Sequence, residues 1–238
     1  MSTPILQIDG LSKSYGGLRP LRLKRFALDA RERIALAGFD ETMAELFVNL
    51  VTGATLPDEG RVHVFGRATA DISDSAEWLA TVDRFGLVSN RIVLLESYTA
   101  AQNVAMSRTL DSYPPAPDVL ATVDGLAREV GLAPAALARP MEAASPADRH
   151  RVRLARAVAG SPAVLLVEHP LAGLPGGEVE PLAADLAALV ERRGLGMVVL
   201  SAQAEHGRPF APRVLQLNGA TGELTEAKAG LLGRIFGK

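Results

Sequence analysis

Apolar and polar residues alternate from Leu21 to Leu28 (LRLKRFAL), the period of a strand with one face buried. A polar turn follows at Arg31 to Arg33. Ile34 to Ala37 is then a continuous apolar run closed by Gly38, which predicts a strand buried on both faces. Past Gly38 the period changes again. Met43, Leu46, Phe47, Leu50 and Val51 recur at three- and four-residue spacing, which predicts a helix with one apolar stripe, ended by Gly53. Upstream, Ile5 to Ile8 reads as a short strand. Downstream, Pro57 to Gly60 reads as a turn and Arg61 to Gly66 as a strand.

From about Arg91 to Gly160 the text becomes rich in Ala and Leu and helical in period, broken at Pro114, Pro115 and Pro117. This predicts a helical subdomain over about 91–160, inserted in a single domain over 1–238. Ala163 to His169 then reads as a buried strand, Glu178 to Arg193 as a helix and Met197 to Ser201 as a strand. Arg213 to Leu224 reads as a hairpin turning near Asn218-Gly219, and a short helix ends at Lys238. No internal repeat is visible. Strands alternating with helices predict an α/β fold: a mainly parallel sheet with helices on both faces, and an antiparallel edge formed by the N-terminal strands.

Composition changes this picture little. The 238 residues are 48% hydrophobic, enough for a sizeable core. A net charge of -2 gives no basic footprint for nucleic acid. The absence of cysteine excludes disulfides and cysteine-held zinc, and fits a reducing compartment. No apolar run reaches the roughly 18 residues of a membrane span, and MSTPILQIDG shows no secretory pattern. A cytoplasmic protein is expected, meeting a membrane only through a partner. The basic run Arg149, His150, Arg151, Arg153 and Arg156 reads as a solvated helix face. The terminal GLLGRIFGK reads as a packing helix.

The chemistry-bearing words come in a fixed order: LSKSYGG (Leu11 to Gly17), Gly38, VTGATLPDEGRVHVFG (Val51 to Gly66), TAAQNVAM (Thr99 to Met106) and ASPADRHRVRLARAVAGSPAVLLVEHPLAGLP (Ala144 to Pro175). Together they resemble the ATP-binding subunit of ABC transporters over nearly the whole chain. The resemblance implies a P-loop NTPase-like core with an N-terminal antiparallel β subdomain and an inserted helical one. It implies ATP and magnesium as cofactors and Tyr15 as the residue that stacks on adenine. It implies a membrane permease as partner, met through the stretch from Asn90 to Met106, and pairing with a second ATP-binding subunit as homodimer or heterodimer. It also places the protein at the inner membrane, through that permease.

The departures fall on the chemistry. A phosphate loop of pattern G-x-x-x-x-G-K-[ST] uses glycines for backbone approach, lysine for charge and a hydroxyl for magnesium. Here Gly38 remains, but Met43 stands at the second glycine, Ala44 at the lysine and Glu45 at the hydroxyl. By resemblance, Asn90 stands at the Q-loop glutamine and Ser145-Pro146-Ala147-Asp148 at the signature Ser-Gly-Gly-Gln. Glu168 stands at the Walker B aspartate, His169 at the catalytic glutamate, Pro175 at the D-loop aspartate and Gln203 at the switch histidine.

Asp40, Glu41 and Glu45 place carboxylates where a triphosphate would lie. Each like-charge pair at about 4 Å costs about 1 kcal/mol in water and about 4 kcal/mol at an effective dielectric near 20. Asp40 or Glu41 also suits the anion-seeking N-terminus of the helix that follows. Ser145 suits an N-cap, Pro146 the first helical position and Asp148 a capping box. Asp40, Glu41, Glu45 and Glu168 could alternatively gather a divalent cation, with Glu168 and Glu45 as its ligands. The residues favour a structural or regulatory subunit with weak or no ATP hydrolysis. A working ATPase with unusual motifs is the alternative, and the sequence leaves the enzyme question open.

Overall fold

The computed structural model describes residues 3–109 and 116–228. The terminal helix expected before Lys238, and the breaks at Pro114 and Pro115, lie outside the described residues.

Two sheets divide the strands. The first holds β1 (Leu6–Lys13), β2 (Leu21–Leu28), β4 (Glu59–Val64) and the two-residue β5 (Arg67–Ala68), in order β2-β1-β4-β5, antiparallel throughout. Alternation in β2 sets its register: Leu21, Leu23, Phe26 and Leu28 are buried and the residues between them exposed. The second sheet is six-stranded. Its order is β10 (Glu223–Glu226), β9 (Arg213–Asn218), β3 (Arg33–Ala37), β8 (Gly196–Ser201), β7 (Val164–Glu168), β6 (Phe85–Val88). All neighbours run parallel except the β9–β10 hairpin at the edge. The N-terminal strands thus form a sheet of their own, and the antiparallel edge of the main sheet is β10. Local alternation marks a half-buried strand but does not say which sheet it joins.

The parallel strands are apolar on both faces because both are covered. One face (Ala35, Val167, Met197, Val199) packs with α3 (Ala100–Ala105), α4 (Pro117–Glu129), α6 (Pro146–Val158) and α7 (Gly176–Arg193). The short α8 (Ala204–Gly207) lies on this side through Ala204. The other face (Ile34, Leu36, Val198, Leu200) packs with α1 (Glu41–Val51) and the antiparallel sheet. Helices do lie on both faces, but the second face shares its cover with a sheet.

Several elements had no clear sequence signal. Among them are α2 (Ser75–Val82), which has no buried residue, and β6, at the main sheet's far edge and only four residues long. Between Arg91 and Gly160 the described residues hold α3, α4, the short α5 (Pro134–Leu137) and α6, with no strand longer than an isolated bridge, Thr99 to Pro140. Pro117 and Pro146 sit in the first turns of α4 and α6, where a missing N–H is harmless.

Candidate functional site

Parallel strands place ligand-bearing loops at their C-terminal ends. Here Ala37 ends β3 beside Ser201 of β8, and Glu168 ends β7 beside Leu200. The loop after β3 is only Gly38, Phe39 and Asp40 before α1 begins at Glu41. Gly38 has φ +91°, and a Cβ there would stand 2.8 Å from Gln216 Nε2, so the position requires glycine. Phe39 is fully buried and packs edge-on against Phe47, ring centroids 5.7 Å apart. This anchor draws the loop inward.

The backbone donors of Gly38, Phe39, Met43 and Ala44 are engaged within the protein. Gly38 N–H donates to the Ala202 carbonyl at 3.2 Å and Phe39 N–H to that of Ser201 at 3.0 Å. Asp40 is the N-cap of α1, its Oδ1 accepting from Met43 N–H at 2.8 Å, and Ala44 N–H donates to the Asp40 carbonyl at 2.9 Å. Of the two candidate caps, Asp40 is the one used. Ala44 is fully buried against the apolar core.

At the end of β7, Glu168 is buried and its carboxylate is filled with donors. Ser89 Oγ donates to Oε2, Arg91 Nε donates to Oε2 at 3.1 Å and Arg91 Nη2 to Oε1 at 2.6 Å. Arg91 Nη1 also lies 3.1 Å from Glu45 Oε1 on α1. Hydrogen bonding to Glu168 raises the Arg91 guanidinium above its ordinary value. Of the four acids expected to gather around a cation, Glu45 and Glu168 flank the Arg91 guanidinium instead, and Asp40 caps α1. Among the described residues no group of three His, Asp or Glu side chains is placed to hold a metal ion.

His169 follows in a left-handed conformation, φ +45°, and its buried Nε2 has no hydrogen-bond partner among the described residues. With Glu41 and Ala172 it lines both a cleft of about 260 Å³, shared with Ser89, Asn90, Arg91 and Glu168, and another of about 280 Å³ reaching His206.

No family model matches the chain. Among curated proteins it is 30% identical over 206 residues to the phosphonates import ATP-binding protein PhnC of Anaeromyxobacter dehalogenans, covering 83% of this chain and 40% of that one. It is 27% identical to the methionine import ATP-binding protein MetN of Brucella abortus (91% and 58% covered). It is 28% identical to the lipoprotein-releasing system ATP-binding protein LolD of Alcanivorax borkumensis (90% and 93% covered). The chain thus spans about two-fifths to three-fifths of the length of the first two relatives. Among solved structures, the dimeric ABC transporter cassette MJ0796 superposes with a TM-score of 0.73 at 22% identity, covering 95% of this chain and 100% of that one. The cbiO1 protein of Clostridium perfringens superposes with a TM-score of 0.76 at 18% identity, covering 94% and 88%.

The chain is a homologue of ABC transporter ATP-binding subunits, with the cassette fold.

Of the remaining cassette positions, Asn90 shares the Glu168 cleft and the others lie on other elements. Tyr15 is half-buried in the loop after β1, and burial first, then the negative Asp40, raises its phenol above the ordinary value. Asn90 is exposed and lines the Glu168 cleft. Gln203 lines a different cavity, of about 450 Å³, with Gln216 and Lys228. Ser145 caps α6, accepting from Asp148 N–H at 3.1 Å. The Asp148 carboxylate instead lies 3.9 Å from Arg151. The reciprocal capping box occurs at α3, between Thr99 and Gln102.

The basic run on α6 is engaged rather than solvated. Arg149 pairs with Glu96 and Arg151 with Asp185, while Arg153 and Arg156 donate to the Ile92 and Val93 carbonyls. His150 is buried. Ser89 and Arg91 were not among the sequence candidates. No local signal marked them: Arg91 adjoins Asn90, but the acids it meets lie far from it along the chain.

Proposed function

We propose that this chain is an ABC-type ATP-binding subunit that does not hydrolyse ATP and serves a structural or regulatory role in a transporter. The observation that carries this reading is the Glu45–Arg91–Glu168 bridge. A magnesium–nucleotide site needs free backbone donors, a cation for the phosphates and oxygen ligands open to the metal. At the phosphate-loop positions the donors of Gly38, Phe39, Met43 and Ala44 serve the protein's own acceptors. Glu45 and Glu168 face a guanidinium. These residues do not fit the metal–nucleotide complex.

The proposed partners are a membrane permease, met through the segment following Asn90, and a second ATP-binding subunit or a second copy of this chain. The chain would then lie on the cytoplasmic side of the inner membrane. Relatives support this reading: one solved neighbour is a dimer and another is part of the complex cbiONQ. No helix among the described residues is long and apolar enough to cross a membrane.

A working ATPase is the second reading. It is favoured by Tyr15, retained half-buried in the loop after β1, and by relatives described as ATP-binding import proteins. Phosphate release from ATP with millimolar magnesium separates the two. No release above that of Glu168→Gln or His169→Ala is expected. A rate in the purified protein that either substitution abolishes would sink the non-hydrolysing role.

A further inference from the structure

Two carboxylates from different elements, Glu45 on α1 and Glu168 on β7, meet one cation, and that cation belongs to the chain. Glu168 is bound at both oxygens, at 3.1 and 2.6 Å, and Glu45 lies 3.1 Å away across the same guanidinium. Hard oxygens converging in this way are what a divalent cation joins. A guanidinium serves the same two acids in a fixed planar fork, and it stays charged at every physiological pH.

Arg91 does not act alone. Its own N–H donates to Ser89 Oγ at 3.1 Å, so a tight turn wraps the Glu168 carboxylate. Past this turn the segment is held from the other side. The Ile92 and Val93 carbonyls accept from Arg153 and Arg156 at 3.2 and 3.1 Å, and Glu96 takes both terminal nitrogens of Arg149 at 2.7 and 2.6 Å. Asn103 of α3 bonds both the N–H and the carbonyl of Leu95. The segment from Ser89 to Glu96 is thereby tied to α1 and β7 at one end and to α3 and α6 at the other.

We propose that Arg91 is a tethered replacement for a divalent cation, and that it fixes the Ser89–Glu96 bridge between the parallel sheet and the α3–α6 helices without any bound ligand. This deepens the function proposed above and rests on that reading of the cleft. Two consequences follow. The wild-type cleft does not take up divalent metal. Removing Arg91 both loosens the bridge and exposes a latent cation site at Glu45 and Glu168.

The test uses Mn²⁺ alone as probe, followed by the loss of its free electron paramagnetic resonance signal, with amide hydrogen exchange over residues 89–96. Wild-type protein is expected to leave the signal unchanged. Arg91→Met is expected to bind about one Mn²⁺ per chain and to do so about tenfold or more tightly than wild type. Arg91→Met with Glu168→Gln is expected to lose that binding. Exchange in the segment should quicken in Arg91→Met and slow again with Mn²⁺. Where Arg91→Met fails to fold, Arg91→Lys keeps the charge without the fork, and should show faster exchange and no Mn²⁺ uptake. Wild-type Mn²⁺ binding as tight as that of Arg91→Met overturns the proposal. So does a folded Arg91→Met that binds none, or wild-type exchange rates in Arg91→Lys. Magnesium-dependent ATP hydrolysis by wild type would count against the proposed function, whereas these outcomes bear on Arg91 itself.

Discussion

At the residue scale, Asp40 shows how one side chain decides what a helix end does. The first N–H groups of a helix lack intrahelical partners and attract negative charge. In α1 a carboxylate of the same chain takes one of them, that of Met43. Asp40→Ala should cost about 1 kcal/mol, the usual value of a lost N-cap. Urea unfolding checks this, and an unchanged midpoint would mean that the cap contributes nothing. Asp40 was legible in the sequence because residue type and position suffice for a cap. Arg91 was not, because its two acids lie far from it along the chain and only folding brings them to it.

At the element scale, α6 is the instructive case. Its basic run suggested a solvated face, yet the helix packs into the core through Ala147, His150, Val152 and Leu154. Arg149, Arg153 and Arg156 tie down residues 92–96, and Arg151 reaches Asp185 on α7. Burial, and then Arg153, hold the His150 imidazole below its ordinary value, with a hydrogen bond to the Ala172 backbone acting in the opposite sense. The unfolded chain therefore binds this proton more readily than the folded one. The contribution of His150 is complete above its ordinary value, about 6.5, and declines as pH falls through that value toward the lowered one. Midpoints of urea unfolding between pH 7.5 and 5.5 should fall with pH in wild type and fall less steeply in His150→Gln. Equal slopes would remove His150 as the cause. Helical period located α6 in the sequence, but a period cannot say which arginine finds a carboxylate and which a carbonyl.

At the scale of the whole molecule, the fold does not depend on a ligand to close it. Both faces of the parallel sheet are covered by protein, and Ala44 at the lysine position is part of that cover. A ligand at one hundred times its dissociation constant stabilises a protein by about 2.7 kcal/mol. Millimolar Mg–ATP should therefore leave the thermal midpoint of wild type unchanged. Restoring the lysine alone, Ala44→Lys, should not create a shift with Mg–ATP. It should lower the midpoint, since enlarging a packed site costs about 1–3 kcal/mol. A nucleotide-dependent rise in either protein would show that the cleft still accepts ATP.

The sequence alone settled the local choices. Alternation gave β2 with its buried face, unbroken apolar runs gave β3, β7 and β8, and the period from Met43 to Val51 gave α1. These follow from side chains a few residues apart, where chain geometry leaves little freedom. The ordered motifs also carried the family, because they keep register over most of the chain. Tertiary structure decided what local pattern cannot express. It put the N-terminal strands in a sheet of their own, and it chose Asp40 over Glu41 as the cap. It also set Arg91 between acids 46 and 77 positions away, numbers that follow from Glu45, Arg91 and Glu168 themselves. A charge pair across such separations forms only after the core has positioned α1, β6 and β7.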